Sequence, residues 1–375
     1  MNIKTTLKTS VAAAALVAIG APAVVSSASA GINNGNKNSL IMSGQIVRAL
    51  MYQDDGHNSQ LFNIDGFDTA SRVRWIVSGQ MTESVSIGGL VEMNFPNSNR
   101  NYALGTAGSN NGEVDTDTTF AIRHTRIDFK HKALGTLSLG QSSVAGDGAT
   151  SQTFTAYAPT ISGSADAPLG NSNFWNSTTQ SISTVGQAAL TDYDPSREDR
   201  IRYDTPSFGG LKLSVSHQDT GESAAANYSG KFGGIQVAAA GFYKNNSAGS
   251  TTNTATMGGS IAAKHDSGVS ADFSYSRQDN KPGVTQEGKN WHAGAGYAAN
   301  LTNLGTTGFG IIYSQTDDGV VNGDEGTQFA FSVNQKVASV GADIFAGFTL
   351  ATYDDGTATN YDDFTTIFAG TRLNF

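Results

Sequence analysis

The stretch Val85-Ser86-Ile87-Gly88-Gly89-Leu90-Val91-Glu92-Met93-Asn94-Phe95 decides the fold. Val85, Ile87, Val91, Met93 and Phe95 share one parity and Ser86, Glu92 and Asn94 the other, which is the period of two of a strand with one apolar and one wet face. The same alternation sets Leu211, Leu213 and Val215 against Lys212, Ser214 and Ser216. It returns where Val269, Ala271, Phe273 and Tyr275 oppose Ser270, Asp272, Ser274 and Ser276, and where Phe329, Phe331 and Val333 oppose Gln328, Ser332 and Asn334. From Ser39 onward the chain repeats such runs of about 10 residues and reads as all-β.

The connections alternate in length. Short ones carry turn residues, at 79–82, 132–135, 206–210, 233–234, 266–268 and 337–339, with a weakly marked one inside 301–310. Long, polar ones fill 53–68, 96–118, 142–199, 218–225, 245–256, 278–289, 316–326 and 354–363. Eight long connections joined by seven turns predict 16 strands; the weak turn, and a short strand expected at 226–232, leave 14 or 18 open. A transmembrane antiparallel β-barrel, with turns on one side of a membrane and loops on the other, requires this pattern, and a soluble sandwich does not. In lipid every backbone group must pair internally, so the sheet must close, with its apolar face outward and its small-polar face lining water.

Composition agrees. With 44 Gly, no Cys, 38% hydrophobic residues and a mean hydropathy of −0.25, the chain is neither a disulfide scaffold nor a bundle of apolar helices. Lys4 and Lys8, the apolar run Val11 to Ile19 and Ala28-Ser29-Ala30 read as a secretory signal over 1–30, cleaved before Gly31, leaving 31–375 as the barrel. Without those two lysines, 21 basic residues face 32 acidic ones, a net charge of 21 − 32 = −11, so nucleic acid is not an expected partner. The six His show no metal-ligand spacing, and no metal or cofactor is expected. Acid pairs such as Asp54-Asp55, Asp354-Asp355 and Asp362-Asp363 in the long loops serve solubility or hold divalent cations beside lipopolysaccharide.

Charges gather on the wet parity. Arg72 and Arg74 alternate with Val73 and Trp75; Arg126, Asp128 and Lys130 with Ile127 and Phe129; Arg200 and Arg202 with Ile201 and Tyr203. Arg48 and Arg123 fall on the apolar parity and are expected at a rim or a subunit contact. The longest connection, 142–199, is of a length that is normally functional, and its Phe154, Tyr157, Phe174 and Trp175 are candidate anchors to an inner wall.

The terminal run Ile367-Phe368-Ala369-Gly370-Thr371-Arg372-Leu373-Asn374-Phe375 places Leu373 on the parity of Phe375, and it resembles the signature read by the insertion machinery of bacterial outer membranes. Together with Ser43-Gly44-Gln45, Ser71-Arg72-Val73, Thr125-Arg126-Ile127-Asp128-Phe129, 135–141 and 202–210, in this order and spacing, the chain resembles the Gram-negative general-diffusion porins, the alphaproteobacterial ones above all. The resemblance implies a 16-stranded barrel in the outer membrane that assembles as a homotrimer, with its third loop, here 142–199, folded into the lumen. It implies a basic constriction wall at Arg72, Arg126 and Arg202, with Arg74 alongside and Glu92 as the wall glutamate. Gln45 stands where the family often has a further lysine, and the family's usual Pro-Glu-Phe-Gly-Gly loop motif is absent. Asp147 and Asp166 are the candidate loop acids.

The expected function is passive diffusion of small hydrophilic solutes and ions. A substrate-selective porin, a structural or adhesive barrel and a rim hydrolase using His292 and Ser314 are the competing readings. Few aromatics on the wet parity disfavour the first of these, and the lack of a Ser-His-acid cluster disfavours the last. The wall arginines argue for anions and the net charge for cations, so the residues alone leave the selectivity open.

Overall fold

The computed structural model describes residues 37–66, 69–95, 102–104, 112–113, 120–159, 169–170, 172–246, 253–280 and 287–375. The expected signal at 1–30 and Asp166 lie outside them. The described chain forms a closed antiparallel barrel of 16 strands. They are β1 (Ser39–Asp54), β2 (Ser59–Ile64 and Arg72–Gln80), β3 (Val85–Asn94), β4 (Ala121–His131), β5 (Gly135–Ser143), β6 (Arg197–Asp204), β7 (Leu211–Gln218) and β8 (Gly221–Phe232). Then come β9 (Ile235–Asn245), β10 (Asn253–His265), β11 (Val269–Asn280), β12 (Lys289–Thr302), β13 (Gly305–Asp317), β14 (Glu325–Val337), β15 (Ala342–Asp354) and β16 (Phe364–Asn374). Each pairs with its sequence neighbour, and β1 pairs with β16 from Gln45↔Asn374 to Asp54↔Thr365, which removes both edges. At the seam Gly44 and Phe375 exchange backbone hydrogen bonds, and a Cβ on Gly44 would meet the Phe375 ring at 2.6 Å.

Local chemistry explains the register. The β8–β9 turn is Gly233-Gly234, both at positive φ (51° and 91°), the conformation a two-residue hairpin needs to follow the strand twist. β2 is broken at 65–71. There the buried Asp65 carboxylate accepts from the Ser71 amide (2.9 Å) and hydroxyl (2.7 Å), while Ser71 Oγ accepts from Val47 N (2.8 Å). The break is thus stitched to β1, which pairs with both halves of β2.

The outward parity carries Ile46, Leu50, Leu137, Leu139, Ile201, Val215, Phe273, Ile311 and Phe331, all exposed. A band of this kind is what lipid selects.

Three details differ from the expectations. The 53–68 loop shrinks, because β1 runs on to Asp54 and the first half of β2 begins at Ser59. Likewise 218–225 is a turn of Asp219 and Thr220, and β8 is long; its Ser223 accepts from the loop's Gly146 N and its Ala225 clusters with the loop's Ala145 and Ala149. The inner face is also not uniformly polar. Val47, Met51, Phe62, Ile64, Phe345, Phe364 and Phe368 point inward and are buried in one apolar cluster, because there the inner wall meets chain and not water.

Candidate functional site

The chain that covers this inner wall is the segment from β5 to β6. Leaving β5, it runs along the inside of the barrel and donates hydrogen bonds to one strand after another. Ala145 N donates to Ser216 Oγ on β7 (2.9 Å), Gly146 N to Ser223 Oγ on β8 (3.1 Å), Gln152 N to Ser260 Oγ on β10 (3.0 Å) and Ala158 N to Ser332 Oγ on β14 (3.1 Å). Thr153 and Tyr157 both donate to Asp272 on β11 (2.6 and 3.3 Å).

Two wall glycines make this approach possible. A Cβ on Gly308 would meet the Ala156 Cβ at 2.3 Å, and one on Gly310 the Tyr157 ring at 2.4 Å. Burial raises the Tyr157 hydroxyl's pKa, and the Asp272 charge adds to it, so the phenol stays a donor.

The return arm crosses the apolar cluster. Phe174 packs on Tyr353 and Phe364, Trp175 stacks on His57 with ring centroids 3.8 Å apart, and Ser172 Oγ donates to Gln53 Oε1 (2.9 Å). The 3-10 turn Gln187–Leu190 lies on β13 and β14, and Tyr193 N donates to Ser276 Oγ on β11 (3.2 Å). Of the expected anchors, Tyr157, Phe174 and Trp175 are held in this way, and Phe154 is only half-buried. Among the described residues the segment thus lines β7 to β16, β1 and the first half of β2, its root crosses β6 at Arg200, and it leaves uncovered the inner side from the second half of β2 to β5 and the Arg202 end of β6.

That bare wall is where the arginines gather. Glu92 on β3, 1% exposed, accepts from three guanidiniums: Arg72 (3.3 Å), Arg74 (2.5 Å) and Arg123 (2.8 Å). Arg126 bonds Asp128 (3.1 Å) and Ser142 Oγ (2.9 Å); Arg202 bonds Asp204 (2.8 Å) and the Val144 carbonyl (2.7 Å). Those five guanidiniums are each 15 to 22% exposed and share three carboxylates. Arg200 is buried beneath the start of the loop.

Arg123 is the correction among these. Its parity pointed outward, but the β3–β4 register shifts between Glu92↔His124 and Met93↔Ile122, leaving Arg123 as the extra residue of a bulge that turns inward to Glu92. Gln45 is buried and donates to Thr69 Oγ1 (2.9 Å) and the Ala70 carbonyl (2.8 Å), so its amide holds the β2 break instead of facing water.

On the loop side, Asp147 lies within electrostatic reach of Arg197, Arg202 and Arg123. Burial raises its carboxyl above the ordinary 3.8, against the pull of the Ser143 hydroxyl and those arginines. Asp194 on the return arm accepts from Gly148 N (2.6 Å) and Thr150 N (3.1 Å), closing the loop on itself. Burial, then the charges of Asp192 and Asp147, push its carboxyl well up. Asp192 and Asp194 escaped the sequence reading; the one signal was a pair of acids at the end of the long connection. Leu373 and Phe375 are exposed on the outer surface at the seam.

The described residues include no group of His or acidic side chains able to hold a metal ion, and no helix long and apolar enough to cross a membrane.

A family model described as Gram-negative porin matches residues 12–356. Among solved structures, an anion-selective porin from Comamonas acidovorans superposes with a TM-score of 0.59 at 14% identity, covering 90% of this chain and 100% of that one. Salmonella typhi OmpF in complex with daunomycin gives 0.52 at 14% identity (90% and 98% covered). A mutant of the Rh. blastica porin gives 0.54 at 16% (90% and 100%). No curated protein sequence matches the chain.

Proposed function

The chain belongs to the Gram-negative porin family, and on that premise we propose that the β2–β6 arginine wall and the inward loop between β5 and β6 together form the constriction of an anion-preferring pore. The protein is a passive diffusion channel of the outer membrane. The observation that carries the selectivity is that five partly exposed guanidiniums on this wall share only three carboxylates. Fixed charge at a narrow point governs which ions enter. Acid pairs such as Asp354-Asp355 and Asp362-Asp363 lie in the long connections, and salt screens such charges beyond about 8 to 10 Å. Asp147 and Asp194 oppose the arginines, but their burial works against full ionisation and weakens the cationic side.

Three finer statements belong to the same reading. The channel works as a homotrimer, which the outward Arg48 of β1 supports, since a lone charge on the lipid face calls for a protein neighbour. Residues 1–30 are an export signal removed before Gly31. Leu373 and Phe375, exposed at the seam, address the chain to the insertion machinery and to a membrane of lipid and lipopolysaccharide.

Single-channel recording of the purified protein in a planar bilayer under a KCl gradient tests the reading. Stable open steps with a reversal potential of anionic sign are expected. A potential of cationic sign overturns the selectivity, and a silent but folded barrel overturns the channel.

A further inference from the structure

We propose that a small inorganic anion, chloride in ordinary salt, binds under the root of the inward loop between Arg200 on β6 and Gln218 on β7. Arg200 is 6% exposed and Gln218 2% exposed. They sit directly opposite each other in the β6–β7 register with both side chains inward. Arg200 Nε donates to the Ser143 carbonyl (3.1 Å), but its Nη1 is buried with no partner among the described residues. Gln218 Nε2 is in the same condition, while its Oε1 already accepts from Ser216 Oγ (3.1 Å).

The neighbouring carboxylates are committed elsewhere. Asp128 takes Arg126 and Ser138, Asp204 takes Arg202 and Ser214, and Glu198 takes Lys244 and Thr220. Asp128 and Asp204 act on Arg200 only through space, against the nearer-acting charges of Arg202 and Arg126, and a buried guanidinium that no carboxylate bonds is unfavourable, with each orphaned donor adding to the cost.

The residue beside Arg200 on β5 is Gly140, which brings no side chain to the place. It faces Arg200 across one strand pair and Arg126 across the other, so no side chain stands between the two guanidiniums. Its φ of +112° suits glycine, and a Cβ would strike the Thr125 carbonyl. The loop root roofs the place, with Ala145 N fixed to Ser216. Two orphaned groups that can only donate, one of them charged, select an anion over a cation; a water would satisfy the donors but bring no charge to face the guanidinium.

The anion would thereby fasten the loop root to β6 and β7.

Two measurements on the folded, purified protein test this. Crystals grown with bromide should show an anomalous peak within hydrogen-bond distance of Arg200 Nη1 and Gln218 Nε2. The thermal unfolding midpoint should rise saturably as chloride replaces gluconate, too large for the site, at constant ionic strength. The rise should vanish in Arg200→Gln and shrink in Gln218→Leu, which removes one donor and leaves the charge. A water in place of the bromide peak, or a chloride response unchanged in both variants, overturns the site; an adventitious ion only would give a peak elsewhere with the same unchanged response.

Discussion

Glu92 concentrates the electrostatics of the pore wall in one nearly inaccessible carboxylate. Removing one member of a buried ion pair leaves uncompensated charge at a cost of about 3–5 kcal/mol, here reduced because the three arginines keep some contact with water. Glu92→Gln should therefore lower the unfolding midpoint and deepen anion preference together, as scanning calorimetry and reversal potentials would show. The loop acids give a pH signature. Asp147 and Asp194 have folded-state pKa values above the ordinary 3.8, so they favour the docked loop fully below that value and progressively less as pH rises through the raised ones. Acidification from neutral pH through this window should strengthen anion preference, and the shift should disappear in the double variant Asp147→Asn, Asp194→Asn. Sequence parity alone puts Arg72, Arg74, Arg126, Arg202 and Glu92 on the wet face, and the structure turns all five inward. Parity missed Arg123 because a single bulge reverses it, and Asp192 and Asp194 because a loop has no period to read.

At the scale of elements, the loop lies close to the wall because β13 presents Gly308 and Gly310 to it, as β12 presents Gly294 and Gly296 to Tyr157 and Thr155. Gly310→Val puts a branched side chain where the Tyr157 ring sits, and overpacking of this kind costs about 1–3 kcal/mol. Outright barrel failure is not expected, since the β12–β13 ladder stays intact and the strain falls on the loop contact. Single-channel steps should become larger and noisier while the melting temperature falls modestly. The alternation of turns and loops made the 16-strand barrel legible, though one of its eight long connections, 218–225, is a short turn. β8 was blurred because its Ser-Ala-Ala-Ala run mimics a loop in composition, and the apolar inner faces of β1, β15 and β16 were hidden because parity cannot tell lipid outside from packed chain inside.

For the whole molecule, Arg48 is the discriminating residue. It lies within β1 on the outer surface, with no ion pair among the described residues. A basic side chain facing lipid at the bilayer midplane costs about 2–4 kcal/mol. If lipid is its surroundings, Arg48→Leu stabilises the protein. If a second copy covers it, the same change weakens the assembly, and the expected result is a trimer that dissociates at lower temperature on gels while each barrel stays folded. The seam between β1 and β16 also sets an order of events. The inward loop rests on Gln53 of β1 and on Tyr353 and Phe364 of β15 and β16, so it cannot finish docking before the two ends of the sheet meet. Tube and internal strut are completed in one stroke, like a hem that traps its own lining. Until that stroke, two bare strand edges and the most apolar inner surface lie open together, and this brief unfinished state is where aggregation would begin and where a helper protein has most to guard.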